Sequence, residues 1–589
     1  MQTTHTRTGE VMLLFEFTSA DGVVKPLVFT SPYKIITTAK IEEVIPCIKL
    51  IQQAVDEGYY AAGFLSYESA PAFDTAFHTK TSSPVPLLWF GLFSQPSPEE
   101  IKSESSYSIT EWKSSVNEAE YREAIQSIKK VIQRGDTYQV NYTIRLNSYF
   151  KGDAFAFFNK LKKAQASNYC AYINTGEHSI LSASPELFFH VKEEEIITRP
   201  MKGTIKRGYT FLEDEENAKW LYHSEKNRAE NVMIVDMLRN DLSVIAQNGT
   251  VEAIRLFEVE KYPTVYQMTS TVKAKLCKGV KLMDIFKALF PAASITGAPK
   301  ASTMKVISEV ETQPRGVYCG AIGYITPLKE AVFNVPIRTV VIQQRTGKAI
   351  YGVGGGVTSN STAEDEYNEI NTKARFLQDE RKDFQLLESI LLDDGEYFLL
   401  EEHLERLKNS ACYFDFLFDV NKIKSCLFYH AKKNNNGQFK LRLLIDKKGE
   451  VSTDCQPIQP SIKLNKVVLA DKPVDKNNHF LYHKTTERSV YSHFRRKQAE
   501  GILDTLLWNK NKELTEFTNG NIVLKIDQQL VTPSVKSGLL AGTFRDRLIR
   551  DEKIFEKKLT IADIKRSDKI WFINSVRKWI EVQLINNNE

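Results

Sequence analysis

The sequence predicts an α+β protein of two domains, on three observations. Hydrophobic cores stop growing at roughly 250 to 300 residues, so a chain of 589 residues must divide. Helical and strand periodicities are interleaved along the whole length rather than segregated. A helix-like run ends near Arg381 and a new strand pattern begins just beyond it, which places the boundary between 1–381 and 382–589.

The elements can be justified in order. Tyr121, Ile125, Ile128 and Ile132 recur at helical spacing, Asn117 and Glu120 have the form of a capping box, and Gly135 is a stop, so a helix is predicted over 117–134. Tyr138 to Leu146 alternates as a strand. Pro299 suits the first turn of a helix running through Met304 and Ile307. The run Glu364 to Lys382 reads as a helix, Phe384 to Asp394 as a strand with an Asp-Gly turn, and Asn434 to Gly437 as a plain turn.

Composition narrows the functional classes. With 42% hydrophobic and 26% charged residues the chain is an ordinary globular protein. A net charge of +5, not gathered into a basic block, disfavours nucleic acid as a partner and leaves room for an anionic small molecule. Seven cysteines without a Cys-x-x-Cys pair or zinc-ligand spacing point to a reducing compartment. The N-terminus lacks the apolar core of a signal peptide and no stretch approaches ~18 apolar residues, so a cytoplasmic, non-membrane location is expected.

Four clusters carry chemistry before residue 380. Arg199-Pro200-Met201-Lys202-Gly203-Thr204 sets a lysine in a predicted tight turn or strand end. A lone lysine is most often a solvated surface group. As a nucleophile it must be neutral, and at a reference pKa of about 10.4 only on the order of one in a few thousand is neutral at pH 7, so a desolvating pocket is required. Glu230, Glu366 and Glu369 are helical carboxylates, and the spacing of Glu366, Glu369 and Lys373 puts them on one helix face. That face is either a solvated one with an ion pair or a magnesium site, since this hard cation takes a few carboxylate oxygens and leaves positions for an anionic substrate. Ser294-Ile295-Thr296-Gly297-Ala298-Pro299-Lys300 is a small-residue helix entry suited to an anion. Arg338 lies in an apolar, strand-like run, where a bidentate carboxylate partner is expected, and Gly354, Gly355 and Gly356 permit close backbone approach.

With Gly135 to Asn141, Ser184-Pro185-Glu186, Asp236 to Leu242 and Tyr318, these clusters resemble the chorismate-utilising enzymes, and within that family the aminodeoxychorismate synthase component I branch, over roughly residues 55 to 376. The resemblance implies a large two-sheet sandwich domain. It also implies that Glu230, Glu366 and Glu369 bind Mg2+, which holds one carboxylate of chorismate. Thr204, Gly297, Ala298, Lys300, Tyr318, Arg338, Gly354, Gly356 and Lys373 are implied to bind the substrate. Lys202 would attack the ring and be displaced by ammonia, with Glu186 as general acid or base. Anthranilate synthases have alanine at the position of Lys202. Met201 replaces a commoner isoleucine, and Gln267 stands where many relatives have histidine.

Beyond residue 382, His403 to Leu407, His483 to Arg488, Glu516 with Asn521, and Gly538 to Thr543 supply an arginine, a lysine, an acid and a glycine-rich turn, the groups a phosphate-bearing aldehyde cofactor needs. Together they resemble the fold-type IV pyridoxal-phosphate enzymes, especially 4-amino-4-deoxychorismate lyase and the branched-chain aminotransferases. The resemblance implies that Lys484 carries pyridoxal 5'-phosphate, Glu516 faces the pyridine nitrogen, and Arg406, Thr543, Phe544 and Ser575 surround the phosphate. The domain is shorter than its relatives, and Lys578 replaces a common glycine. A lyase would consume the first domain's product to give 4-aminobenzoate. The alternatives are an anthranilate synthase fused to an aminotransferase, and a synthase with an inactive second domain. No nucleophilic-cysteine elbow of a glutamine amidotransferase is visible, so ammonia is expected from solution or a separate glutaminase subunit. A homodimer would form through the second domain.

Overall fold

The structure is a computed structural model describing residues 11–19, 22–99, 101, 103, 106–377, 382–458, 465–496 and 501–585. The chain clusters into two compact units, Met1–Lys206 with Ala218–Arg381, and Arg207–Asn217 with Lys382–Glu589. The excursion of 207–217 into the second unit has no sequence signature. Among the described residues, no helix is long and apolar enough to cross a membrane.

Two antiparallel sheets, each of ten described strands, form the first unit. Period-2 alternation explains how they layer. Leu13, Phe15 and Phe17 of the strand Met12–Phe17 share one cluster with Ala62 and Phe64 of the strand Tyr60–Leu65, which belongs to the other sheet. Met12 and Leu14 face the opposite way, into a cluster with the helices Glu118–Gln133 and Ala154–Gln165. Ala61 and Leu65 likewise face the helices Ile41–Asp56 and Glu225–Ser243. The sheets therefore pack face to face with helices outside. Burying a phenylalanine such as Phe15 or Phe64 is worth on the order of 2 to 3 kcal/mol.

The capping box at Asn117 is formed, with Asn117 N–H donating to Glu120 at 2.8 Å and Glu120 N–H to the Asn117 side chain at 3.0 Å. The strand over 138–146 runs longer, as Gln139–Gly152. The helix starting near Glu364 spans Ala363–Ala374 and tightens into a 3-10 turn at Arg375–Leu377; residues 378–381 of the expected run lie outside the described residues.

In the second unit, the strand Leu386–Asp393 belongs to a four-stranded sheet covered by the helices Leu400–Phe414 and Val420–Lys433. A separate eight-stranded sheet contains Ile502–Trp508, Asn521–Ile526 and Lys569–Asn574, with Lys466–Leu469 running parallel to both of its neighbours.

Candidate functional site

The first unit holds a cavity of about 340 Å³ whose lining includes Glu186, Lys202, Thr204, Glu230, Tyr318, Arg338, Gly354, Gly356, Glu366, Glu369 and Lys373. Of the two expectations, a tight turn or a strand end, the structure has the second: Lys202 is the second residue of the strand Met201–Lys206. The pairing of this strand with Val265–Lys275 slips between Met201 and Thr204, and Gly203 takes φ +93°. A bulge of this kind re-aims a side chain, and the positive φ requires glycine. Burial pulls the Lys202 ammonium below its ordinary value and the Lys373 charge adds to this, opposed by Glu230, Glu186 and Glu369.

Glu186 is 3% exposed and accepts a 2.5 Å hydrogen bond from Ser294 Oγ. Burial raises its carboxyl to about 7 in spite of that bond, the Lys202 charge and the Met201 amide. The cavity thus holds an amine biased toward its neutral form and an acid poised near neutrality, the pairing expected where groups trade protons with a substrate.

The glycine strand Lys348–Val357 makes the wall possible. A Cβ on Gly356 would lie 1.8 Å from Gln139 Nε2 and 3.0 Å from Lys202 Nζ, and one on Gly354 would lie 2.1 Å from the Tyr142 carbonyl oxygen. Glu366 Oε2 and Glu369 Oε1 converge over Gly355, 3.0 and 3.5 Å from its Cβ position. Lys373 pairs with Glu369 at 2.6 Å and donates to the Gly354 carbonyl at 2.8 Å, so this helix face carries the expected ion pair, and it also lines the cavity. Burial and the neighbouring Glu369 charge raise Glu366, whereas Lys373 lowers Glu369. No group of three His, Cys, Asp or Glu side chains among the described residues forms a ready metal cage. Two converging carboxylates with Glu230 on the cavity wall fit a cation that keeps several non-protein ligands.

Arg338 has no protein carboxylate partner among the described residues; it sits at φ +52°, and burial lowers its pKa. An unpaired guanidinium on a cavity wall awaits an anion. Three expected residues are not brought to the cavity. Gly297 and Ala298 instead pair with Val140 and Gln139, backing the wall. Lys300 turns away, its ammonium 3.1 Å from Asp241 and donating to the Leu289 carbonyl at 3.4 Å. Ser294, from the same motif, reaches the site in their place. Gln267, the departure from histidine, lines the cavity and donates to Thr204 Oγ1 at 3.0 Å. Gln139 and Asn141 also line it. Their signal was the alternation of Gln139, Asn141, Thr143 and Arg145, a polar face that is buried along one strand.

A second cavity, of about 650 Å³, lies in the second unit and is lined by Lys484 and Ser575 together with Lys440, Arg442, Arg488 and Arg577. Burial brings the Lys484 ammonium down to about 8, with the Arg406 charge adding to it. Glu516 is 4% exposed, accepts from Tyr491 Oη at 2.7 Å and the Leu540 amide at 3.2 Å, and is raised by burial to about 8. Arg406 does not line this cavity. Its guanidinium is forked onto Glu388 at 2.9 and 2.7 Å and donates to the Ala541 carbonyl at 3.1 Å. His403 joins Glu388 to Thr543, with Nδ1 2.7 Å from Glu388 and Nε2 3.3 Å from Thr543 Oγ1. Thr543 and Phe544 open the helix Thr543–Arg550, where first-turn amides lack helical partners. Arg406 reaches the Ala541 carbonyl two residues ahead of this helix start, and an arginine close to a helix N-terminus suits a phosphate. Ser575 Oγ donates to the Ser389 carbonyl at 3.4 Å. The partner of Arg406 was not expected, because Glu388 sits on a strand with no motif around it.

Residues 19–379 match the family of chorismate binding enzymes, and residues 385–585 match amino-transferase class IV. The chain belongs to the chorismate binding enzyme family. Its second unit carries a class IV amino-transferase domain. Aminodeoxychorismate synthase component 1 of Salmonella typhimurium is 38% identical over 258 residues, covering 44% of this chain and 56% of that one. Anthranilate synthase component 1 of Aquifex aeolicus is 34% identical over 266 residues, 45% of this chain and 53% of that one. These matches span little more than half of the curated relatives. The crystal structure of anthranilate synthase component I from Streptococcus pneumoniae shares the fold, with a TM-score of 0.51 at 24% identity over 64% of this chain and 94% of that one.

Proposed function

We propose that this chain converts chorismate to 4-aminobenzoate in two steps: amination to 4-amino-4-deoxychorismate in the first unit, then elimination of pyruvate, a carbon–oxygen lyase reaction, in the second. The observation that carries the reading is the pairing of Lys202 with Glu186 in one buried cavity. Lys202 in its neutral form attacks the substrate ring, the ring hydroxyl leaves with the proton of Glu186, and ammonia then displaces the Lys202 amine. Arg338 and Tyr318 hold one substrate carboxylate. Glu366, Glu369 and Glu230 would hold Mg2+, which when bound neutralises the other. The relatives named component 1 support ammonia supply by a separate glutaminase subunit.

Pyridoxal phosphate, when bound, supplies an electron sink for the second step. Lys484 would carry it and, once freed by the incoming substrate amine, takes the proton beside the substrate nitrogen; an amine near 8 is suited to that exchange. Arg406 with the Thr543 and Phe544 amides would bind its phosphate, Ser575 stands on the wall beside Lys484, and Glu516 would share a proton with the pyridine nitrogen. Incubation with chorismate, magnesium and ammonia tests the proposal: 4-aminobenzoate plus pyruvate supports it, and anthranilate overturns it.

A further inference from the structure

The segment Arg207–Asn217 belongs to the second unit yet lines neither cavity. It follows directly on the strand Met201–Lys206 that bears Lys202. Arg207, 8% exposed, forks onto Asp214 at 2.7 and 2.6 Å, donates to the Tyr413 carbonyl at 2.9 Å, and lies 4.5 Å over the Tyr413 ring. Tyr413 Oη donates back to the Gly208 carbonyl at 2.8 Å.

From this anchor the next residue reaches the turn before Lys484. Tyr209 Oη donates to Asn477 Oδ1 at 2.9 Å, and its ring stacks on Tyr482 at 5.3 Å. The Tyr209 carbonyl faces His483 Nε2 at 3.1 Å, and His483 Nδ1 faces Ser410 Oγ at 3.0 Å. The carbonyl can only accept, so the proton of the neutral ring sits on Nε2 and Ser410 donates to Nδ1. Burial, which takes His483 down to about 3, keeps the ring in that neutral form. On the far side the Leu387 amide donates to the Lys484 carbonyl at 3.0 Å. The two residues preceding Lys484 are thus fixed by this segment, and Lys484 itself by the sheet.

We propose that Arg207–Asn217 is a strap that positions Lys484 in its cavity, with His483 and Arg207 as positioning residues that act through the backbone. The inference rests on Lys484 being the cofactor lysine. A buried arginine–aspartate fork, an aromatic stack and a histidine held by both nitrogens cost ordering entropy that surface attachment alone would not repay. A misplacement of about 1 Å at a reacting group can cost on the order of a hundredfold in rate.

The test uses the full chain with His483→Ala, its donor-retaining counterpart His483→Gln, and Arg207→Ala. In chains freed of cofactor, the pH midpoint for acetylation of Lys484 by acetic anhydride is read by peptide mass spectrometry. Arg406, Glu388, Arg488, Lys440 and Glu516 face this amine from the surrounding elements and stay unchanged in every variant. The strap predicts that His483→Ala and Arg207→Ala move the midpoint up by about one unit, a tenfold smaller neutral fraction at neutral pH. Cofactor-loaded chains should lose about tenfold in kcat for pyruvate release with KM nearly unchanged, and His483→Gln should restore both quantities. A midpoint and kcat unaltered in His483→Ala, with only the melting temperature lowered, would overturn the proposal. If Arg207→Ala does not fold, His483→Ala decides, because it leaves the Arg207–Asp214 fork intact. A wild-type chain that takes up no pyridoxal phosphate would defeat the reading of Lys484 but not the midpoint comparison.

Discussion

Ser294→Ala isolates the role of Glu186. Ser294 Oγ donates to the Glu186 carboxylate at 2.5 Å, inside a site where Glu186 is raised by burial to about 7. A hydrogen bond to a charged group is worth about 1.5 to 3 kcal/mol, and one pKa unit corresponds to about 1.4 kcal/mol, so losing this bond should raise Glu186 by about one to two units. The Met201 amide still reaches the carboxylate and holds the change toward the lower figure. If Glu186 gives its proton to the leaving hydroxyl, activity falls as Glu186 ionises, and the descending limb of the pH–rate profile reports it. Chorismate consumption should be followed across pH at saturating Mg2+, with the rate expressed per neutral ammonia. The descending limb should move about one unit to higher pH in Ser294→Ala, while the ascending limb, set by Lys202, stays within a few tenths. An unmoved descending limb, or one displaced to lower pH, would refute the general-acid assignment.

Four further outcomes follow from the same geometry. Gly356→Ala places a methyl group 3.0 Å from Lys202 Nζ and into buried Gln139, which must shift, so amination should fall on the order of a hundredfold and stability by about 1 to 3 kcal/mol. Arg338→Gln removes the unpaired guanidinium; steady-state kinetics should show KM for chorismate up at least tenfold, the equivalent of about 1.4 kcal/mol. Chelation by EDTA should stop amination yet leave pyruvate release from added 4-amino-4-deoxychorismate intact, and loss of both activities would contradict the division of labour. Glu388→Gln leaves Arg406 buried without its counter-charge, at a cost on the order of 3 to 5 kcal/mol. Arg406 and His403 hold the Glu388 carboxyl below its ordinary range against burial, so its contribution is fully present above the unfolded value of about 4.3 and is lost as pH falls further. The gap in melting temperature between wild type and Glu388→Gln should therefore be constant near neutrality and close in acid.

Local signals were legible in the sequence. The capping box at Asn117, the helix face joining Glu366, Glu369 and Lys373, and the glycines of 354–356 are set by spacings of a few residues, which backbone geometry alone converts into position. Long-range pairings were not. Glu388 meets Arg406, and Asp241 captures Lys300, across distances along the chain that periodicity does not encode. The register slip beside Lys202 depends on the neighbouring strand, so the sequence left the motif open between a turn and a strand end. Ser294 and Lys300 lie in one motif, yet Ser294 reaches Glu186 in the cavity while Lys300 is drawn to Asp241, a difference set by partners distant along the chain. The segment 207–217 is tied to the second unit by Arg207 meeting Tyr413 and Tyr209 meeting His483, contacts with no local pattern at all.

Product analysis of the wild type, Lys202→Ala and Lys484→Ala, each given chorismate, Mg2+, ammonia and pyridoxal phosphate, tests the central claim most directly. The wild type should release 4-aminobenzoate and pyruvate, Lys484→Ala should accumulate 4-amino-4-deoxychorismate, and Lys202→Ala should leave chorismate largely unreacted. Anthranilate from the wild type, or 4-aminobenzoate from Lys484→Ala at the wild-type rate, would contradict it.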